Sequence, residues 1–309
     1  MSELPEKTRA AALAGLGKMG APMARRLVSA GYAVHGYDVD ERLRVALAAD
    51  GLTPVASVDE LADAAEDIIL MLPNSDIVDQ VAERIAAAVR SGARCRRIID
   101  MSSSEPGRTR RLAPRLAESG IELVDAPVSG GVGGAVAGTL TLMVGGTAEQ
   151  YERVRPLLEP LGSSIVHVGP VGAGHAIKAL NNLMSACSML ITAEAMTVAT
   201  RFGMDPATAL AVVNSASGRS GSTEAKFPKF VLTGTFDSGF TAALMAKDVG
   251  IATLLGKDLA VELPLAEAVQ ARWRELAAEL APDADHTEIV RPLEARHGVS
   301  IRAASHVGD

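Results

Sequence analysis

From residue 9 to residue 168 the chain alternates short apolar runs with segments whose apolar residues recur at helical spacing. Residues 10–14, 33–37, 68–72, 97–101, 122–125, 140–144 and 164–168 are predicted as strands. Most of these runs are continuously apolar rather than alternating, as strands covered on both faces by helices should be. The pattern therefore predicts an α/β fold, with an N-terminal doubly wound parallel sheet covered by helices. After Gly174 the strand-like runs stop, and helical segments follow to about Phe202, over residues 206–214 and on to Glu279. Residues 281–309 hold Pro282, Asp283 and Asp285, then one further helix and a polar end. The change of pattern falls in Gly169-Pro-Val-Gly-Ala-Gly174, so an α/β domain over 1–171 and an all-α domain over 172–309 are expected. A length of 309 residues fits two domains of roughly 150 residues.

Composition narrows the class. Hydrophobic residues make up 48% and charged residues 22%, which excludes a disordered or low-complexity chain. Thirty Lys and Arg against 37 Asp and Glu give a net charge of −7, which argues against generic nucleic-acid binding. Cys95 and Cys187 are far apart, so neither a disulfide framework nor a zinc ribbon is indicated, and a reducing, cytoplasmic setting is expected. The opening Met-Ser-Glu-Leu-Pro-Glu-Lys lacks the basic start and apolar core of a secretion signal. The apolar stretch 176–202 is broken by Lys178, Asn181, Asn182 and Glu194, so it reads as a buried helix of a soluble protein rather than a membrane span. The histidines are scattered without metal-ligand spacing, and no metal is expected.

Gly15-Leu-Gly17-Lys-Met-Gly20 sits between the first predicted strand and a helical segment, the context in which Gly-x-Gly-x-x-Gly holds a dinucleotide. Gly15 permits the tight turn, Gly17 lets pyrophosphate approach the backbone, and Gly20 lets the helix pack on the sheet. Lys18 and Met19 complete this cofactor turn. Asp38 ends the next strand, placed to accept hydrogen bonds from the adenosine ribose, with Asp40 as a competitor. A carboxylate there argues for NAD, while Arg42 and Arg44 keep NADP in play. Leu72 ends one strand with Pro73 and Asn74 following it, and Ser102 and Ser104 follow another, at the edge where ligands of open α/β sheets bind. Pro73, Asn74 and the serines read equally well as helix-start residues; Ser104 precedes Glu105 and Pro106.

Asp125-Ala-Pro-Val-Ser129-Gly130-Gly131 exposes backbone N–H groups beside a serine hydroxyl, a setting for a substrate carboxylate. Lys178 and Asn182 are four apart on the helix leaving Gly174 and share a face, with Asn181 beside them. Ile177, Leu180, Leu183, Met184 and Cys187 surround Lys178, and burial would lower its pKa toward that of a usable base. The competing reading is a lysine that snorkels to solvent. His175, beside the hinge, reads as a residue solvating the helix start.

In four stretches the chain resembles the β-hydroxyacid dehydrogenase family, on its 3-hydroxyisobutyrate branch. They are Gly15-Leu-Gly-Lys-Met-Gly-Ala-Pro-Met-Ala24, Asp125-Ala-Pro-Val-Ser-Gly-Gly131, Gly172-Ala-Gly-His-Ala-Ile-Lys-Ala-Leu-Asn-Asn182 and Phe240-Thr-Ala-Ala-Leu-Met-Ala-Lys-Asp248. The resemblance implies a Rossmann domain followed by a helical domain that builds a homodimer or homotetramer. It implies hydride transfer between a short 3-hydroxy acid and NAD. It gives Lys178 as the catalytic lysine, Asn182 as the residue that fixes the substrate, Ser129, Gly130 and Gly131 as the carboxylate loop, and Lys247 as a lysine near nicotinamide and substrate. By sequence alone Lys247 and Asp248 read as a surface ion pair.

Two stretches depart from the 3-hydroxyisobutyrate pattern. After Ser217-Gly-Arg219 the chain reads Ser220-Gly-Ser-Thr-Glu224 and then Lys226-Phe-Pro228 where an aromatic and a Tyr-Asn-Pro type stretch are usual. Arg219, Lys226 and Lys229 supply either charge for a second acidic group, as in reductases of dicarboxylic or sugar-acid semialdehydes, or a solvated face. Asp285-His-Thr287 also resembles the sugar-acid relatives. Imine reductases share the architecture but usually replace the lysine, and a non-catalytic NAD-binding scaffold is the reading from another class.

Overall fold

The computed structural model describes residues 9–302; the expectations for the chain's opening and its polar end lie outside them. Among the described residues nine strands form one sheet: β1 (Ala10–Ala14), β2 (Ala33–Tyr37), β3 (Thr53–Pro54), β4 (Asp67–Leu70), β5 (Arg97–Asp100), β6 (Glu122–Asp125), β7 (Val128–Ser129), β8 (Leu140–Gly145) and β9 (Gly162–Gly169). Their order among the described residues is β3-β2-β1-β4-β5-β6-β8-β7, with β9 paired to β8. From β3 to β6 all neighbours are parallel, in the order of a doubly wound dinucleotide fold. The continuous apolar runs have their explanation in the two faces of this sheet. Ala11, Leu13, Ile69, Ile99 and Val124 pack into one core, and Ala12, Ala14, Ile68, Leu70, Ile98 and Leu123 into another. Successive residues point to opposite faces, so burying both faces requires every position to be apolar.

The sheet is not wholly parallel as the pattern predicts: β8 runs antiparallel to β6 and to β7. A parallel return needs a crossover of about a dozen residues or more to the far end of the sheet. Here Pro127, the two-residue β7 and the short helix Gly131–Ala137 keep the chain at the carboxyl end of β6, and β8 starts back from there. The predicted strand over 68–72 ends at Leu70. This frees Met71 and Leu72 for the loop.

The chain divides into two compact units, one up to Lys178 and one from Ala179, and the 30-residue helix Ala173–Phe202 begins in the first and continues into the second. Among the described residues the second unit contains helices and no strand, around Trp273, Phe227, Met189, Val249 and Leu276. The Trp273 indole donates to the Ala186 carbonyl at 3.2 Å. The segment after Ser220 forms a π-helix, Ser222–Val231, which the pattern did not predict. Pro228 lies inside it, where a proline would break the narrower α-helical turn.

The helix Ala173–Phe202 is the one among the described residues with the length and composition of a membrane span. Ala186, Met189, Leu190, Ala193 and Met196 belong to the core of the second unit. The helix is nevertheless not buried all round as predicted. Ile177, Met184, Ile191 and Val198, seven residues apart, form an exposed apolar stripe in which Met184 is 72% and Val198 69% exposed.

Asp285, part of the stretch that resembles the sugar-acid relatives, is a structural hub. Its carboxylate accepts from the Ser238 hydroxyl at 2.7 and 2.8 Å, from the amides of Gly239 (2.9 Å) and Thr287 (2.9 Å), and from the Thr287 hydroxyl (2.6 Å). Burial alone would raise its pKa, but the His286, Thr287 and Ser238 donors outweigh it and hold the carboxyl well below the ordinary carboxylate range. Because the folded-state pKa lies below the unfolded value of about 3.9, this stabilisation is complete above that value and fades as pH falls below it. Asp285→Asn is therefore expected to cost about 3 kcal/mol at neutral pH. In urea unfolding the gap from the parent should narrow below about pH 4; a gap independent of pH would contradict the assignment.

Candidate active site

The glycine turn follows β1 and opens the helix Gly20–Ser29. Gly15 has φ +94°, and a Cβ there would lie 2.2 Å from the Met71 carbonyl oxygen. A Cβ on Gly20 would lie 1.8 Å from the Gly15 carbonyl oxygen. The third glycine differs: nothing lies within 4 Å of a Cβ on Gly17, which is exposed along with Lys18, while Met19 is half-buried. Two glycines thus serve the fold, and Gly17 leaves backbone open to an approaching group. No side chain caps the helix behind it, so its first N–H groups suit an anion. The arrangement fits the pyrophosphate of a dinucleotide.

Asp38 clamps this turn to the end of β2: Oδ2 accepts the Leu16 amide at 2.7 Å, and Oδ1 the Asp40 amide at 2.9 Å. Asp40 is occupied otherwise, capping the helix Glu41–Ala48 and pairing with Arg42 at 2.7 Å, which lowers its pKa. Arg44 lies 5.7 Å over the Tyr37 ring and donates to the Val55 and Ala56 carbonyls. Around the neighbouring strand ends, Pro73 is exposed, Leu72 is half-buried, and Asn74 caps the helix Ser75–Arg90 through the Ile77 amide. Ser102 is 1% exposed and accepts the Leu72 amide at 2.9 Å, tying the ends of β4 and β5 together. Ser104 is not the cap it resembles. Its hydroxyl donates to Asp100 at 2.8 Å, and the Glu105 amide is taken by Ser75.

Ser129 ends β7 and is half-buried; Gly130 and Gly131 are exposed with φ of +129° and +62°, so the loop presents backbone to solvent. Asp125, at the end of β6, is fully buried, and its carboxylate accepts the Gly172 amide at 2.6 Å and the His175 amide at 2.9 Å. His175 does not solvate the helix start as expected. Its side chain is buried, with Nδ1 2.9 Å from the Thr109 hydroxyl and Nε2 3.6 Å from Asp100 Oδ2. Three residues on, Lys178 is partly buried, while Ile177, Leu180 and Met184 beside it are exposed. The mostly buried segment expected from sequence is thus corrected in part: Ile177, Leu180 and Met184 are exposed, while Leu183 and Cys187 are half-buried.

In the second unit Asn182 is 6% exposed, and its Nδ2 donates to Asp248 Oδ2 at 2.6 Å, while Asn181 Nδ2 donates to Asn182 Oδ1 at 3.2 Å. The amide is thereby oriented, nitrogen toward Asp248 and oxygen toward Asn181. Asp248, 2% exposed, also lies 3.1 Å from Lys247 Nζ. The surface ion pair expected there is instead a buried carboxylate that holds the site asparagine. Asp248 and Asp125 are the residues that sequence reasoning missed in this role. Of the three cations after Ser217, Lys226 is half-buried and donates to Ser185 Oγ at 2.5 Å, whereas Arg219 and Lys229 lie on the exposed surface.

Residues 10–169 match the family model for the NAD binding domain of 6-phosphogluconate dehydrogenase. Residues 172–293 match that for the NAD-binding region of NADP-dependent 3-hydroxyisobutyrate dehydrogenase. The chain is 39% identical over 300 residues to 2-(hydroxymethyl)glutarate dehydrogenase of Eubacterium barkeri, covering 96% of this chain and 98% of the relative. It is 33% identical to the NAD-dependent L-serine dehydrogenase of Pseudomonas aeruginosa over 93% of this chain and 98% of the other. The solved Mycobacterium tuberculosis 3-hydroxyisobutyrate dehydrogenase with L-serine superposes with a TM-score of 0.85 at 33% identity, covering 93% of this chain and 99% of that one. The chain belongs to the β-hydroxyacid dehydrogenase family, the nicotinamide-dependent oxidoreductases of hydroxy acids that include the 3-hydroxyisobutyrate dehydrogenases.

Proposed function

We propose that the chain oxidises a short 3-hydroxy acid to its semialdehyde with NAD, and catalyses the reverse, with Lys178 exchanging the hydroxyl proton. The observation that carries this reading is the pair Lys178 and Asn182, one turn apart on one helix, with the asparagine amide held by Asp248. In the oxidation Lys178 Nζ takes the proton as the carbon–hydrogen bond breaks, and in the reduction it returns it. Asn182 donates to the substrate from the amide that Asp248 orients. Ser129 supplies a hydroxyl, and Gly130 and Gly131 supply N–H groups, to the carboxylate. Lys247 adds positive charge toward substrate and nicotinamide. The bound nicotinamide supplies the hydride acceptor.

Gly15, Gly17, Lys18, Met19 and Gly20 take the pyrophosphate, and Asp38 takes the adenosine ribose hydroxyls. Leu72, Pro73, Asn74 and Ser102 edge the same site. NAD is favoured over NADP because Asp38 repels an added phosphate, with Arg42 engaged by Asp40 and Arg44 by Tyr37. Residues 1–171 are assigned to the cofactor, and 172–309 to substrate and assembly. The exposed stripe of Ile177, Met184, Ile191 and Val198, at heptad spacing, supports a homodimer or homotetramer. Cys95, buried and with its thiol pushed up to about 12 by that burial, and Cys187 are both free, in keeping with a cytoplasmic enzyme.

The substrates in the relatives' names are 3-hydroxyisobutyrate, L-serine and 2-(hydroxymethyl)glutarate. They share one core, a hydroxymethyl group on the carbon that bears the carboxylate, and differ only in the third substituent. The proposed substrate has that core. Purified chain is expected to form NADH from 3-hydroxyisobutyrate or 3-hydroxypropionate at least tenfold faster than it forms NADPH. No reduction of either cofactor by any acid with this core would overturn the reading.

A further inference from the structure

We infer that Asp125, acting with His175, is a positioning residue for the reaction: it joins the carboxylate loop to the helix that carries the proton-exchanging lysine. Asp125 ends β6 and begins the stretch that reaches Ser129 four residues later. Its two carboxylate oxygens hold the two amides that open the helix Ala173–Phe202, Gly172 through Oδ1 and His175 through Oδ2. Lys178 follows three residues after His175, about 4.5 Å along the helix axis at 1.5 Å per residue. One buried carboxylate therefore fixes where the loop leaves the sheet and where the lysine's helix starts.

The surroundings leave this joint no freedom. A Cβ on Gly145 would lie 2.4 Å from Asp125 Oδ1, and one on Gly174 would lie 2.8 Å from Oδ2 and 2.2 Å from the Met143 carbonyl oxygen. Neighbouring strand and helix backbone thus close on the carboxylate from both sides. A negative charge at a helix N-terminus is favourable in itself, and burial strengthens it. The His175 ring closes the other side, 3.9 Å from Asp125 Oδ2 and 3.6 Å from Asp100 Oδ2, and Thr109 fixes its Nδ1 at 2.9 Å. Asp100 is held in turn by the Ser104 hydroxyl and the Ser102 amide. The network thereby binds the carboxyl ends of β5 and β6 to the first turn of the lysine's helix.

This inference rests on the roles proposed for Ser129 and Lys178. A side chain that only stabilised the fold would change how much enzyme is active and leave each active molecule unchanged. A positioning residue changes the chemical step, because misplacing reacting groups by about 1 Å can cost on the order of 100-fold in rate.

The test compares Asp125→Asn and Thr109→Val with the parent enzyme, turning over a 3-hydroxy acid with NAD as hydride acceptor, with binding sites counted separately by NADH titration. Asparagine offers one acceptor to two amides, and valine removes the partner of His175 Nδ1 without changing side-chain shape. The expected result is that kcat per NADH-binding site falls about 100-fold in Asp125→Asn and several-fold in Thr109→Val, with NADH Kd within twofold of the parent. The isotope effect on substrate deuterated at the hydroxyl carbon should rise, and the amides of Gly172 and His175 should exchange faster. Unchanged kcat per binding site and unchanged isotope effect, with only a lowered Tm, would overturn the inference. If Asp125→Asn does not fold, Thr109→Val decides by the same criteria. Failure of the functional reading itself would show separately, as a parent enzyme that turns over no such acid.

Discussion

Lys178→Ala is expected to reduce turnover of a 3-hydroxy acid on the order of 1000-fold, while NADH binds with the parent's affinity. The size follows from what the residue is asked to do: oxidation of an alcohol needs a base at the hydroxyl, and a positioned base contributes about 100- to 10,000-fold. Cofactor binding is spared because the residues proposed for pyrophosphate and ribose follow β1 and β2, others edge the loops after β4 and β5, Lys247 lies on the helix Ala242–Asp258, and none is Lys178. Small primary amines should restore part of the lost rate, since they supply the missing proton acceptor. The measurement is steady-state kcat beside fluorescence titration with NADH. Unchanged turnover in the variant would remove Lys178 from the mechanism. Weakened NADH binding in step with activity would make its role cofactor binding instead.

Gly17→Ala and Gly20→Ala are expected to fail in opposite ways, although the two positions are three residues apart in one motif. A methyl group on Gly17 enters open space, so the variant should melt with the parent. The same methyl occupies the ground where pyrophosphate must reach the backbone. Loss of two charge-assisted contacts, at about 1.5 kcal/mol each, weakens NADH binding on the order of 100-fold. A methyl group on Gly20 instead meets the Gly15 carbonyl oxygen at 1.8 Å, so helix and turn must separate. That overpacking should cost about 3 kcal/mol of stability. Thermal melting and NADH titration of both variants separate the cases. Equal loss of stability in the two would contradict the division between fold and ligand within the turn.

The cofactor-binding half of the fold was legible because its signal is local. Strands buried on both faces read as unbroken apolar runs, and the glycine motif follows β1 directly, so periodicity and spacing sufficed. The reversal of β8 was not legible, since it depends on where Pro127 and a seven-residue helix leave the chain rather than on the apolar content of β8. Lys178 and Asn182 stood out as polar residues four apart on an apolar helix. Their supports did not. Asp248 lies 66 residues from Asn182, and Asp125 lies 50 from His175, so neither pairing leaves a trace in local pattern. The π-helix was hidden for another reason: its composition around Lys226 and Pro228 carries no apolar period that distinguishes a wide turn from a loop.

In the proposed reaction hydride leaves the hydroxyl-bearing carbon of a short 3-hydroxy acid for NAD. The most direct measurement supplies purified chain with NAD and 3-hydroxypropionate or 3-hydroxyisobutyrate carrying deuterium at that carbon, and follows the label by mass spectrometry. The expected products are NADH that contains one deuterium and an aldehyde that retains the other. Bound cofactor without any reduction across acids of this core would point to a non-catalytic NAD-binding protein, and NADH formed without the label would contradict the proposed chemistry outright.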